Sequence, residues 1–328
     1  MTLERVSAIS THASSVLDLI GHTPIMELAS IQRTKGLNGR LVAKLEHLNP
    51  GGSMKDRVAL AIIRSAIRSG ELKANQPVLE VTSGNTGIGL AIVCRAMGHP
   101  FYAVMSRGNS QERAQIMRAF GAEVILVDQA PGGEPGRVTG QDMALVKERA
   151  ADLCAALGAF FANQFDNPAN PQSHFDTTAP ELLEQTRGQL DAFVAFAGTG
   201  GVLGGVARYF RYTAPRVRMY AVEPASAASL AMACCFEASH RIQGGGYGNA
   251  SLAHVNPRHI DGYVQCDDDQ AIAAARLLAS EAGIVAGYST GAQLHAAIEL
   301  LREKERGNSV AFLVCDSGMK YLSTGLFP

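Results

Sequence analysis

No apolar run in the sequence approaches the roughly 18 residues that suggest a membrane-spanning helix, and the opening MTLERVSAISTHASS has no apolar stretch of signal-peptide type. An excess of one charge is also lacking. The 29 basic and 30 acidic side chains leave a net charge of −1, which gives no footprint for binding nucleic acid through phosphates. The six cysteines, Cys94, Cys154, Cys234, Cys235, Cys266 and Cys315, include no C-x-x-C pair and no Cys/His cluster of zinc spacing, so no metal is expected. Cys94 and Cys315 lie in apolar runs and read as buried thiols, and adjacent cysteines such as Cys234 and Cys235 rarely bridge. A Walker A loop is missing too. With 47% apolar and 18% charged residues, the chain is not of disordered composition and is long enough for a large core and two domains. The expectation is a soluble, cytoplasmic protein.

Short Val- and Ile-rich runs alternate with stretches of helical period. Strands are expected at 41–46, 77–82, 101–105, 123–128, 192–197, 217–223, 262–266 and 310–315. Helices are expected at 56–69, 87–97, 110–120, 138–157, 178–187, 202–212, 268–282 and 291–305. In 56–69, Val58, Leu60, Ile62, Ile63, Ala66 and Ile67 make one broad apolar face and Gly70 ends the helix. This alternation implies parallel sheets covered on both faces. Two groups of four strand–helix units imply two α/β domains, joined near 158–175, where GAFFANQFDNPANPQSH breaks the periodicity. PGGEPGR at 131–137 reads as a surface turn cluster.

Ligands of parallel sheets bind at the carboxyl ends of strands, so chemistry is sought in the loops there. NPGGSMKDR, 49–57, opens helix 56–69 and sets Lys55 at a helix N-terminus. The dipole there disfavours a cation and lowers an amine pKa, and a neutral amine is what Schiff-base chemistry needs. A solvated lysine beside a capping Ser53 fits the same spacing. TSGNTG, 82–87, offers three hydroxyls, an amide and backbone N–H groups at a helix start, suited to a carboxylate or phosphate; an ordinary capped turn reads equally well. Gly198, Thr199, Gly200, Gly201 and Val202 form a phosphate cradle. Glu223 ends the next strand, yet a dinucleotide G-x-G-x-x-G needs glycine where Leu203 stands. GYSTG at 287–291 matches the G-x-S-x-G nucleophile elbow. Only His295 follows Ser289, however, and no histidine follows Asp316, so a Ser–acid–His triad in hydrolase order cannot be completed. Ser317 ends the last strand and could make one hydrogen bond at the sheet edge, or be a plain turn serine.

Taken in order, NPGGSMKDR, TSGNTG, GTGGVLG, GYSTGA and CDSGMKYLSTGLF resemble the cysteine synthase (O-acetylserine sulfhydrylase) and cystathionine β-synthase family of fold-type II pyridoxal-phosphate enzymes. IGHTPIMEL at 20–28 and QFDNPANPQSH at 164–174 extend the resemblance from about residue 15 to 327. It implies two doubly wound parallel-sheet α/β domains, tryptophan synthase β-like. Residues 47–165 would form a smaller, mobile domain, and 15–46 with 166–328 a larger one binding pyridoxal 5′-phosphate.

The resemblance also implies roles. Lys55 would form the Schiff base with the cofactor and act as base. Asn85 would hydrogen-bond the ring hydroxyl, and Gly198, Thr199, Gly200, Gly201 and Val202 would hold the phosphate. Ser317 would face the pyridine nitrogen, a neutral partner suited to β-elimination. Thr82, Ser83, Thr86 and Gln164, with Asn85, would hold the substrate, the α-carboxylate above all. The β-leaving group of an activated serine would depart to give an aminoacrylate, and sulfide or another nucleophile would add in a ping-pong cycle.

Three positions depart from the family. Val202 replaces a threonine common there, which implies weaker phosphate binding. Tyr247, in IQGGGYGN, replaces a small residue, as in cystathionine β-synthases. Tyr288, in GYSTGA, is expected near the substrate. NPGGSMKDR and the STG of GYSTGA also resemble the branch that joins O-phosphoserine to glutamate, although that branch often varies SGNTG. The family further implies a homodimer and, in some members, docking of serine acetyltransferase. No cysteine precedes Cys94, so a haem-binding N-terminal segment is not expected, nor is a C-terminal regulatory domain.

Overall fold

The computed structural model describes residues 12–132, 138–232, 234 and 240–328. Residues 133–137 of the turn cluster and Cys235 lie outside these. In chain order the strands and helices are β1 (Ile25–Glu27), α1 (Ala29–Thr34), β2 (Arg40–Lys44), α2 (Lys55–Ser69), β3 (Val78–Val81), α3 (Asn85–Met97), β4 (Phe101–Ser106), α4 (Gln111–Ala119), β5 (Glu123–Val127), α5 (Gly140–Leu157), β6 (Phe160–Phe161), α6 (Ala169–Ser173) and α7 (Ala179–Gln185). There follow β7 (Ala192–Phe196), α8 (Gly201–Thr213), β8 (Arg218–Pro224), α9 (Ser229–Met232), β9 (Gly262–Cys266), α10 (Asp268–Ala282), α11 (Tyr288–Arg302) and β10 (Ser309–Leu313).

The helices form where amphipathic periods meet end signals. Along α2 the buried Val58, Ala59, Ile62, Ile63 and Ala66 recur at helical spacing, and Gly70 closes the helix in the left-handed region at φ 79°. A reciprocal capping box starts α10: Asp267 accepts from the Gln270 N–H while the Gln270 side chain reaches back. Thr139 and Asp142 do the same for α5.

Two sheets result. The larger has the order β1-β2-β10-β7-β8-β9, parallel except for the β1–β2 pair, and the smaller has the order β5-β4-β3-β6, all parallel. Each is covered on both faces. One core under the larger sheet packs Leu41, Val194 and Phe312 against α10 and α11, while Phe193, Ala311 and Leu313 face α7 and α8. The smaller sheet packs Val78, Ala103 and Val124 on α2, α3 and α4, and Leu79 and Val104 on α5.

All eight expected strands form, with one reassignment. The strand expected at 41–46 runs Arg40–Lys44 and belongs to the larger sheet, where Leu41 pairs with Val310. Its place in a set of four is taken by the two-residue β6, inside the segment expected to be a join. Leu17 and Ile20 pack with the core of the smaller sheet. Cys94, Cys154, Cys234, Cys266 and Cys315 are free thiols.

Candidate active site

The loop before α2 runs beside the segment after β10. The Met54 N–H donates to the Cys315 carbonyl, Ser53 bridges to Asp316, and the Ser317 N–H donates to the Gly52 carbonyl. Ser53 Oγ accepts from the Lys55 N–H at 3.2 Å, so α2 begins with Lys55 aimed into the cleft. Lys55 Nζ donates to Thr199 Oγ1 at 3.3 Å. Lys55 thereby lines a cavity with Phe196, Gly198, Thr199, Gly200, Gly201, Val202, Gly244, Ser289, Gln293 and Cys315. A broader surface groove lies over α10 and α11, by Arg276, His295 and Phe327; none of these reactive groups lines it.

Desolvation pushes the Lys55 ammonium down to about 8, against the opposing pull of the Glu80 carboxylate. Burial, more than the helix dipole expected from sequence, thus makes a neutral amine accessible near neutrality. Burial likewise raises the Glu80 carboxyl to about 7 and the Cys315 thiol to about 12, so Cys315 stays a thiol.

The glycines of the 198–201 loop are required by its surroundings. Gly200 has φ 86°, and a Cβ on Gly198 would stand 2.8 Å from the Gly244 carbonyl oxygen. A Cβ on Gly201 would overlap the buried Asn170 side chain at 2.0 Å from Oδ1. Asn170 Nδ2 donates to Thr199 Oγ1 at 3.0 Å and to the Gln164 carbonyl at 2.8 Å. The loop therefore presents its backbone at the start of α8, where first-turn N–H groups lack intrahelical acceptors. A small-residue anion cradle facing a low-pKa lysine fits a cofactor with a phosphate at one end and an aldehyde at the other.

Across the cleft, TSGNTG links β3 to α3. Thr82 Oγ1 accepts from the Gly84 and Gly87 N–H groups at 3.3 and 3.2 Å. Thr86 Oγ1 donates to Gln164 Oε1 at 2.6 Å, so the Gln164 oxygen is engaged and its amide N–H groups remain as donors. Asn85 Nδ2 donates to Asp316 Oδ2 at 2.7 Å, and Asn85 Oδ1 accepts from Lys320 Nζ at 2.7 Å.

The family model for pyridoxal-phosphate dependent enzymes matches residues 16–316. Cysteine synthase of Staphylococcus aureus is 38% identical over 314 residues, 95% of this chain and 96% of that one. The chain belongs to the cysteine synthase family of pyridoxal-phosphate dependent enzymes. Among solved structures, O-acetyl serine sulfhydrylase isoform 3 from Entamoeba histolytica aligns with a TM-score of 0.89 at 33% identity, over 99% of this chain and 95% of that one. O-ureido-L-serine synthase aligns with a TM-score of 0.84 at 38% identity, over 96% and 95%.

In this pyridoxal-phosphate enzyme the residues expected from sequence fall into three groups. Lys55, Gly198, Thr199, Gly200, Gly201 and Val202 line one cavity. Thr82, Ser83, Asn85 and Thr86 stand on the α3 side of the cleft, where Thr86 meets Gln164. Tyr247 is 48% exposed and meets Phe165 edge to face at 5.5 Å. Two expected residues are elsewhere. Tyr288 is 1% exposed with its hydroxyl donated to Thr324, so it supports the segment after β10. Ser317 pairs with Ala286 and caps the following turn through the Met319 N–H, and it does not line the cavity. The serine in the cavity is Ser289. The G-x-S-x-G match marks it, but as a nucleophile, a role for which the sequence supplies no triad. His295, on the same helix, lines the surface groove. Sequence reading also missed Asp316 and Lys320, whose partners are far away in the chain.

Proposed function

We propose that this enzyme carries out β-replacement on an O-activated L-serine, making L-cysteine and acetate from O-acetyl-L-serine and sulfide. The observation that carries the reading is Lys55, with its amine pushed down to about 8, beside the glycine cradle and opposite TSGNTG. When bound, pyridoxal phosphate supplies an electron sink for negative charge at the substrate α-carbon. Gly198, Thr199, Gly200, Gly201 and Val202 hold its phosphate, and Val202 contributes only its backbone N–H. Asn85 holds the ring oxygen. We assign the contact to the ring nitrogen to Ser289, the cavity serine, in place of Ser317. The α-carboxylate is held by the Thr82 and Ser83 hydroxyls, the Thr86 backbone N–H and the Gln164 amide, with Asn85 beside them. Lys55 Nζ takes the proton from the α-carbon and returns it once the nucleophile has added at the β-carbon. Residues 47–165, with Leu17 and Ile20 packed on their core, are proposed as the unit that closes over the substrate, against the rest of 15–46 with 166–328. A cytoplasmic homodimer completes the reading, with a serine acetyltransferase as a candidate partner.

A second reading rests on the aromatic pair Phe165 and Tyr247. Phe165 and Tyr247, 38% and 48% exposed, give apolar contact that sulfide does not need. They favour an organic nucleophile, such as homocysteine or an amine, over the same Lys55 chemistry; O-phosphoserine or serine as donor is a further alternative to O-acetyl-L-serine. β-Elimination without replacement is the remaining variant.

An absorbance titration decides between them. O-acetyl-L-serine, O-phospho-L-serine and L-serine are added separately to the purified holoenzyme, then sulfide, and products are analysed. The expected result is that O-acetyl-L-serine alone shifts the cofactor band and that sulfide restores it with release of cysteine. A response only to another donor sinks the cysteine synthase assignment, and restoration only by an organic nucleophile does so in favour of the second reading. Keto acid and ammonia formed without a nucleophile point to elimination.

A further inference from the structure

Asn85 stands at the first position of α3, beside the smaller sheet, yet both ends of its amide are held from the other side of the cleft. Lys320 Nζ donates to Asn85 Oδ1 at 2.7 Å, and also to the carbonyls of Gly51 at 2.7 Å and Gly52 at 3.3 Å. All three ammonium protons are thus engaged. Asp316, 1% exposed, accepts from Asn85 Nδ2 at 2.7 Å and from the Tyr321 hydroxyl through the same oxygen. Its other carboxylate oxygen is buried without a partner and faces Gly287, where a Cβ would come within 2.3 Å. Tyr321 is wedged between the Tyr288 ring, 5.7 Å between centroids, and the Arg113 guanidinium, 5.2 Å from its centroid. Arg113 comes from α4, on the smaller-sheet side, and also donates to Gln243.

An ammonium only donates and a carboxylate only accepts. With Lys320 at one end of the amide and Asp316 at the other, only one of its two flips is compatible. We propose that Lys320 and Asp316 are positioning residues for Asn85. They fix which end of its amide faces the cofactor ring, and they tie the 82–87 loop to the loop that carries Lys55. The segment 316–321 thereby acts as a clasp between the loop before α2 and α3, and Tyr288 buttresses it. This rests on the role given to Asn85 above, but not on the identity of the donor or nucleophile.

The test is a double-mutant cycle read on pyridoxal phosphate affinity, measured by equilibrium titration of the apoprotein, with hydrogen exchange at residues 82–90 of the apoprotein as a second readout. Lys320→Met is expected to weaken cofactor binding at least fivefold and speed exchange in the loop, and Lys320→Arg to restore both to within about twofold. In an Asn85→Ala background, Lys320→Met is expected to change affinity less than twofold, because its effect travels through Asn85. The same full loss in both backgrounds, or no change in the parent background, overturns the proposal. Should Lys320→Met not fold, Asp316→Asn carries the same cycle: it removes the charged acceptor, is expected to weaken binding about threefold only while Asn85 is present, and overturns the proposal if its effect is independent of Asn85. None of these readouts uses turnover, so a changed substrate would leave the cycle intact.

Discussion

Lys55 is the first residue of α2 and shares a hydrogen bond with Thr199. Its lowered pKa gives a pH dependence with a definite sign. Only the neutral amine attacks an aldehyde, so capture of pyridoxal phosphate by the apoprotein should quicken about tenfold per pH unit below the pKa and level off above it. With the pKa at about 8, the plateau begins near pH 8 to 9; an ordinary lysine would keep climbing past pH 10. Stopped-flow mixing from pH 6 to 10 measures this, and a rate still rising through pH 10 counts against a desolvated Lys55. The same residue shows how legible the site was. Lys55, TSGNTG and the 198–202 loop are contiguous motifs; Lys55 and TSGNTG alone also fit a solvated lysine and a capped turn, and it is the order of the motifs along the chain that carries the resemblance. Ser289 lies in the first turn of α11 and Ser317 follows β10, and only tertiary placement separates the one lining the cavity from the one capping a turn. Tyr288 read as a substrate contact because its neighbours are, but it is the side chain that starts α11 pointing inward under Tyr321.

At the scale of elements, α2 is held to the larger sheet by a buried ion network. Arg57, two residues after Lys55, donates from Nε to Glu46 at 2.7 Å and from Nη1 to Glu181 at 2.6 Å. Lys44 on β2 donates to Glu181 at 2.6 Å. Glu46 and Lys44 are fully buried, Arg57 is 3% exposed and Glu181 is 8% exposed. Arg57→Met leaves Glu46 with only the neutral donors Thr23 and Asn49. Removing one partner of such a pair costs about 3–5 kcal/mol, so Tm at pH 7 should fall on the order of 10 °C. The pH dependence follows from the opposed effects on Glu46. Burial would raise its pKa, but Arg57 holds it at about 2 against an ordinary 4.5. In the parent protein Glu46 therefore adds stability in full above pH 4.5, lost as pH falls toward 2. In the variant burial is opposed only by the Lys44 charge and the neutral donors, so the native state takes up the proton more readily. The deficit should then shrink as pH drops below about 5. Thermal melts of both proteins at pH 4 to 8 check this; a deficit that is constant with pH would show that Arg57 acts through packing. The network was not legible because its members come from residues 44, 46, 57 and 181, and isolated charges in a sequence read as surface. The eight longer strands were legible from their Val and Ile runs. β1, β6 and the π-helical turn His174–Thr178 were not, because two to five residues carry no period and their conformation is set by what they pack on.

At the scale of the molecule, two sheets with separate cores meet across a cleft. What joins them among the described residues is the short helix α6, packed between α2 and α8, and a polar set: the Arg57 network, the Asn85 contacts with Asp316 and Lys320, and Arg113 with Gln243 and Tyr321. The apolar clusters, by contrast, each stay with one sheet. A joint of this kind is weaker than either core, so the apoprotein should unfold in two steps and not as one cooperative unit. The cofactor changes this, because its proposed contacts lie on both sides: Lys55 and the 198–202 loop on one, Asn85 on the other. A ligand that binds only the joined state adds RT ln(1 + [L]/Kd), about 2.7 kcal/mol at a hundredfold excess over Kd. Saturation should therefore merge the two transitions and raise the merged one. Calorimetry is the suitable measurement, since a chain with no tryptophan and 8 tyrosines reports poorly by fluorescence. Two endotherms without pyridoxal phosphate and one higher endotherm with it is the expected pair. A single apo transition whose calorimetric and van't Hoff enthalpies agree would mean that the joint is as strong as the cores it connects, and closure of residues 47–165 over a substrate would then have to bend the sheets themselves.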